Sequence, residues 1–367
     1  MPEIIIVSLN QFYSSFVQNA LNQEGIITWQ SPSNIALIKY WGKFGIQLPK
    51  NPSLSFGLSE SFTQTSVKYS IKKEDKSKRI FRFDGNENEA FAKKIFQFLD
   101  DLDLFFPFLK QVDLQIESKN SFPHSAGIAS SASSMSALAL CLCSLEQELT
   151  GGLKEESDFY QKASFIARLG SGSACRSVYK GFSIWGDYTE ITECSNEYAI
   201  DINYEIHPFF RGLNDSILIV NEKEKSVSSR AGHALMEKHP YAEARIIQSR
   251  KNLNGLLAAM SKADTAAFIQ IVENEALSLH ALMLSSNPWY SLLHPNTLTI
   301  LDKIRNFRNT SGLFVCFTLD AGPNVHLIYH EENKTQIQEF IDEELLIHCE
   351  GQKVIYDKIG DGPKRLN

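Results

Sequence analysis

From Ser130 to Leu145 the chain carries no charge, the first being Glu146, and Gly151-Gly152 stops the pattern. A helix over this run has no polar face to offer to water, so other elements must wrap it. It is too short to be a bilayer span, which needs about 20 apolar residues, and no other run in the chain approaches that length. The fold is therefore expected to enclose a buried helix whose hydroxyl-rich start, Ser130 to Ser134, is the end that meets polar groups.

The surrounding patterns supply the enclosure. Val67, Tyr69 and Ile71 alternate, as do Val112, Leu114 and Ile116, and both predict half-buried strands. Ala90–Leu99 and Tyr160–Leu169 have helical spacing, Gly181–Trp185 reads as a strand, and the charge run Lys72–Arg79 reads as a solvated hairpin loop. Asp215–Val220 opens a second block. It continues with helices near 240–260, 263–284 and 295–308, strands 313–319 and 324–330, a helix 335–346 and a strand 353–359. Strands followed by helices in each half predict a two-lobed α+β protein with a boundary near 200–212. The first 27 residues stand apart, with Phe12, Phe16, Ala20 and Leu21 at helical spacing up to Gly25. We expect this extension to pack on the body or on a second subunit.

Composition removes several functions. A net charge of −7 argues against nucleic acid as the main partner, and any phosphate site must gather Lys and Arg locally. No secretory leader is recognisable. The six cysteines form no Cys-x-x-Cys pair, which suits free thiols in a reducing cytoplasm. His326 and His330 lie four apart on a predicted strand, about 13 Å from each other, which is too far for a shared metal.

Four runs carry chemistry. Ser31–Lys43 (SPSNIALIKYWGK) reads as a buried strand bringing Asn34, Lys39, Tyr40 and Lys43 to an anion pocket. Phe122–Ser134 (FPHSAGIASSASS) passes through Gly127 into the buried helix, whose first-turn N–H groups make an anion seat; a simple Ser-capped core helix is the alternative. Leu169–Ser177 (LGSGSACRS) offers consecutive donors and then the planar fork of Arg176. A plain Gly/Ser connector would look similar. Phe317–Asn324 (FTLDAGPN) places Asp320 where a strand enters a tight turn, a position where Asp often only caps.

Taken in order, these runs resemble the signatures of the mevalonate diphosphate decarboxylases, a branch of the small-molecule kinase superfamily that includes galactokinase, homoserine kinase, mevalonate kinase and phosphomevalonate kinase. The resemblance spans about Thr28 to Pro363. It implies a cleft between two lobes, with residues 1–27 an extension, 28–206 an ATP-phosphate-binding domain and 207–367 a C-terminal domain. It implies ATP as co-substrate, Mg2+ as cofactor, mevalonate 5-diphosphate as substrate, and a cytoplasmic homodimer with no membrane or nucleic-acid partner. Asp320, Arg176 and Lys39 would be catalytic. Tyr40, Lys43, Ser171, Ser173, Ser229 and Arg230 would hold the substrate, the last two within Lys225–Arg230. Ser130, Ser131, Ser133 and Gly127 would hold the ATP phosphates, with Ser131 nearest the metal. Leu277-Ser-Leu-His280 departs from the Asn-x-Phe-His that many relatives carry, and His280 reads as structural. Relatives that act on the monophosphate, or that stop at the 3-phosphate, tend to lose the aspartate, lysine or arginine. A silent binding protein would show eroded site residues. Here Asp320, Lys39 and Arg176 are all present.

Overall fold

The computed structural model describes residues 12–14, 24–123, 130–222 and 227–367. The first half is an eight-stranded sheet in the order β14-β1-β4-β7-β5-β6, with β8 paired to β4 and β9 to β8. Its strands are β1 (Glu24–Ala36), β4 (Ser53–Ile71), β5 (Arg79–Phe83), β6 (Asn86–Glu87), β7 (Val112–Asn120), β8 (Phe182–Trp185), β9 (Ala199–Asp201) and β14 (Lys364–Arg365). A small hairpin, β2 (Lys43–Phe44) and β3 (Leu48–Pro49), follows β1. The second half holds a four-stranded sheet, β11-β12-β10-β13, built from β10 (Leu213–Leu218), β11 (Val315–Leu319), β12 (Val325–His330) and β13 (Val354–Lys358).

Helices α1 (Glu89–Asp101), α2 (Ser130–Thr150) and α3 (Glu156–Gly170) belong to the first half. Helices α4 (Ser229–Leu235), α5 (Ala242–Lys262), α6 (Thr265–Leu284), α7 (Pro295–Ser311) and α8 (Lys334–Phe340) belong to the second. Uncharged as far as Glu146, α2 is the buried helix that its composition requires. Ala132, Leu138, Ala139, Leu140 and Leu142 pack against Val67, Leu114 and Ile116 of the sheet. A second apolar cluster runs between the halves, joining Ile35, Phe56 and Phe182 to Ile217, Leu253 and Phe268. The two lobes are therefore welded by core rather than hinged on a bare linker.

Several expectations change in detail. β1 ends at Ala36, so Lys39 and Tyr40 lie on irregular chain beyond the strand. A register shift between Pro32 and Asn34 bends β1 before that exit. Residues 72–78 do not close a hairpin, because β4 pairs with β7 and β5 joins β7 in parallel. The expected 335–346 helix is α8 followed by a wide turn, Ile341–Leu345, and a tight one, Leu346–His348. The last residues return to the first lobe, where β14 pairs with β1. Of the extension, Phe12 is buried and stacks on Phe165 with centroids 4.2 Å apart. Tyr13 and Ser14 beside it are not helical, and Phe16, Ala20 and Leu21 of its expected helix lie outside the described residues.

Candidate active site

The exit of β1, the turn after α3, the start of α4 and the β11–β12 hairpin enclose a cleft of roughly 310 Å3. Among the described residues four cations line it, Lys39, Lys43, Arg176 and Arg230, against one carboxylate, Asp320. On a chain of net charge −7 this is the local concentration that an anion site requires.

Lys39 is buried. Its Nζ donates to Ala36 O at 2.6 Å and to Asp320 Oδ1 at 3.1 Å. Burial pushes the ammonium below its ordinary range, and the Asp320 carboxylate opposes that push. Asp320 follows directly on β11, where the main chain turns, and its side chain is 27% exposed. One member of the pair is thus fixed inside protein while the other faces the cleft.

Arg176 lies in a buried turn, Gly172–Val178, rather than in an open Gly/Ser connector. Its Nε and Nη2 donate to Asn34 Oδ1 at 3.3 and 3.2 Å, and its Nη1 donates to Ser53 Oγ. Asn34 is in turn oriented by donating to Ser177 Oγ at 2.8 Å and Ser173 O at 3.2 Å. These acceptors are all neutral. Among the described residues no carboxylate lies within ion-pair distance of this guanidinium. A buried cation with no ion pair at contact distance is costly: burial pushes its pKa down, and the Asp320 charge only partly opposes that push at longer range.

Tyr40 crosses the Trp185 ring at 4.8 Å and lies 4.4 Å from His233. Its hydroxyl is buried and has no hydrogen-bond partner among the described groups. It sits so close to Gly172 that a Cβ there would meet it at 2.9 Å. Lys43 Nζ donates to Gln47 Oε1 at 2.9 Å, and burial and Arg230 both lower its pKa. Ser229 and Arg230 form the first turn of α4, which Ser228 caps. His233, one turn on, accepts the Gly42 N–H at its Nδ1 at 3.0 Å; burial, then Lys43, depresses its pKa to about 3, so it stays neutral.

Ser131 Oγ lies 3.3 Å from Ser171 Oγ at the inner wall, and Ser173 lines the same side. A second, mostly apolar recess of roughly 290 Å3 lies beyond, walled by Phe81, Phe83, Phe91 and Ile95. Ser131 and Met135 line both spaces, and Ser130 lines the second. Ser133 corrects the sequence reading. It is fully buried, its hydroxyl lies 2.7 Å from that of Thr63, and it points into the sheet rather than towards a phosphate. Gly127 and Lys225 lie outside the described residues.

The structure therefore brings together Lys39, Tyr40, Lys43, Ser131, Ser171, Ser173, Arg176, Ser229, Arg230 and Asp320. Sequence reasoning missed Gln47, Met135 and His233. Only His233 carried a signal, three residues after Arg230 on one helix face.

Comparison with known proteins agrees with this arrangement. Residues 31–196 match the diphosphomevalonate decarboxylase-like N-terminal domain, and residues 216–361 match the mevalonate 5-diphosphate decarboxylase C-terminal domain. The diphosphomevalonate decarboxylase of Ganoderma lucidum is 31% identical over 336 residues, covering 86% of this chain and 80% of that one. The crystal structure of mevalonate diphosphate decarboxylase from Staphylococcus aureus superposes with a TM-score of 0.81 at 27% identity, over 94% of this chain and 99% of that one. A structure described as MDDEF in complex with MVAPP, AMPPCP and magnesium superposes with a TM-score of 0.79 at 29% identity, over 94% of this chain and all of that one. Fold, cleft chemistry and likeness converge: the chain belongs to the diphosphomevalonate decarboxylase family.

Proposed function

We propose that this chain converts mevalonate 5-diphosphate and ATP into isopentenyl diphosphate, ADP, phosphate and CO2. The observation that carries the assignment is Arg176, a buried guanidinium with no carboxylate in ion-pair contact among the described residues, facing a cleft that also holds the Lys39–Asp320 pair. Its missing counter-ion is the substrate carboxylate. Lys43 and Arg230 would take the diphosphate, with Tyr40 OH, Ser171, Ser173 and Ser229 donating around it. The unpartnered Tyr40 hydroxyl supports this, since a buried polar group is rarely left unused.

ATP would lie with its base in the apolar Phe81–Phe91 recess and its phosphates crossing the ridge at Ser130 and Ser131. Mg2+, when bound, neutralises charge on those phosphates. The exposed Ser131 hydroxyl is a hard oxygen donor that could help to hold it.

Asp320 would orient the 3-hydroxyl and receive its proton as the oxygen bonds to the γ-phosphorus and ADP leaves. Lys39 would steady the Asp320 carboxylate through that transfer. The C3–O bond of the 3-phosphate then breaks, its electron pair leaving with phosphate. Arg176 holds the carboxylate so that the bond to CO2 breaks in line, and its pair becomes the alkene. We further propose a first domain to about residue 206, a second from 207, and a cytoplasmic homodimer. Six unpaired cysteines support the reducing compartment, and exposed Trp289 and Ile347 of the second lobe are apolar surface of the kind a second copy covers. Among the described residues no helix is long and apolar enough to cross a membrane.

The test is to supply ATP with mevalonate diphosphate, then with the monophosphate, and to measure ADP and CO2. Equal yields from the diphosphate alone are expected. ADP without CO2 would make the protein a 3-hydroxyl kinase, and turnover of the monophosphate would reassign the substrate.

A further inference from the structure

Helix α6 grips both members of the Lys39–Asp320 pair, and it does so through their main chains. Glu275 Oε2 accepts the Lys39 N–H at 2.9 Å. Five residues on, His280 Nε2 lies 3.0 Å from the Asp320 carbonyl, which can only accept, so the imidazole donates from Nε2. Glu275 is completely buried. Arg245 Nη1 donates to its Oε1 at 2.7 Å and Nη2 to its Oε2 at 2.5 Å, while Asn252 Nδ2 donates to Oε1 at 2.7 Å. The Lys39 carbonyl accepts from Asn51 Nδ2 at 3.0 Å and, more weakly, from Arg245 Nη2 at 3.4 Å.

The need for these contacts follows from where β1 ends. Lys39 is three residues past the strand, so its buried N–H and C=O have no ladder partner and must find one elsewhere. A buried ion pair such as Arg245–Glu275 is seldom worth more to stability than an apolar pair of the same volume. This one provides an acceptor and a donor to a single residue of the other lobe. Neither Glu275 nor His280 is among the described residues that line the cleft.

We propose that Glu275 and His280 are positioning residues, through which α6 sets the main chains of Lys39 and Asp320 so that Nζ and Oδ1 meet at 3.1 Å. The proposal rests on the roles assigned above to Lys39 and Asp320. Two anchors on one helix fix the spacing of the two residues across the shared core of the lobes. Catalysis is sensitive to that spacing, because a misplacement of about 1 Å can cost about 10²-fold in rate.

The test compares variants that remove each contact with variants that keep it. Glu275→Leu with Arg245→Met deletes the ion pair and the acceptor, whereas Glu275→Gln with Arg245→Met deletes the same charges and leaves an amide oxygen for the Lys39 N–H. His280→Leu deletes the donor, and His280→Gln retains an amide N–H. Both leucine variants are expected to lose about 10²-fold in kcat with KM for both substrates within about threefold, and the glutamine variants to recover most of the loss. A folded leucine variant with wild-type kcat would overturn the proposal. So would a rise in KM at unchanged kcat, or glutamine variants no better than their leucine counterparts. If the double variants do not fold, the His280 pair decides, since it removes one hydrogen bond and no ion pair. Absence of ADP formation by the wild type would defeat the functional reading; wild-type turnover with unaffected leucine variants defeats the positioning role alone.

Discussion

Two arginines of this protein are equally buried, each 3% exposed, and differ only in their partners. Arg245 forms a two-pronged ion pair with Glu275, while Arg176 has Asn34 and Ser53. That difference predicts opposite consequences for stability. Arg245→Gln strands the buried Glu275 carboxylate and should cost about 3–5 kcal/mol of folding free energy. Arg176→Gln strands only neutral acceptors, at about 1–3 kcal/mol, and removes a buried charge whose desolvation penalty is itself several kcal/mol. Its net effect on stability should lie near zero. At about 2 °C or less per kcal/mol for a chain of this size, its melting temperature should stay within about 3 °C of wild type. Catalysis responds the other way. A lost preorganised charge contact costs about 3 kcal/mol of transition-state stabilisation, which is about 10²-fold in rate. The assay is a thermal melt beside single-turnover release of ADP and CO2 at saturating mevalonate diphosphate. An Arg176→Gln protein that melts about 10 °C lower while releasing CO2 within about threefold of the wild-type rate would refute the reasoning, because Arg176 would then be a structural cation.

Other outcomes follow from single contacts. Asp320→Asn should lower ADP formation by about 10²–10⁴-fold while calorimetry still detects mevalonate diphosphate binding. Asp357, in β13, accepts N–H groups from Ser59, Glu60 and Ser61 of β4 across the lobes. Asp357→Asn should lower the urea midpoint, by about 2–3 kcal/mol in stability, with m unchanged. His233 has a folded pKa of about 3 against an ordinary 6.5, so on acidification the unfolded state binds the proton first. Its contribution to stability is complete above pH 6.5 and is lost as pH falls towards 3, at up to about 1.4 kcal/mol per unit. His233→Asn should flatten the acid limb of the melting profile by that difference.

Much of the molecule was legible in local pattern. The uncharged Ser130–Leu145 run required a wrapped helix, alternation placed β7 and the later half of β4, and turn residues placed Asp320 at a hairpin. Lys39, Tyr40, Lys43, Arg176 and Asp320 stood out because cations, glycines and an acid interrupt apolar chain, and all five line one cleft. Ser131 and Ser133 show where such reading stops. Two positions apart on a helix they face nearly opposite ways, and composition is silent on which faces the sheet. Ser133 turned inward to Thr63 and Ser131 outward to Ser171.

The sequence alone determined which segments must be buried, where the chain turns and which side chains carry the charge for phosphate and carboxylate chemistry. Those are local properties, set by periodicity and residue type. Tertiary structure alone decided that Arg176 is buried among neutral acceptors, that Lys39 leaves its strand before reaching Asp320, and that Glu275 and His280 hold both from behind. Each depends on which distant segments meet: Lys39 and Glu275 lie in different lobes. A buried group's charge, orientation and proton affinity follow from the partners that packing places beside it, and those partners are not its neighbours in the chain.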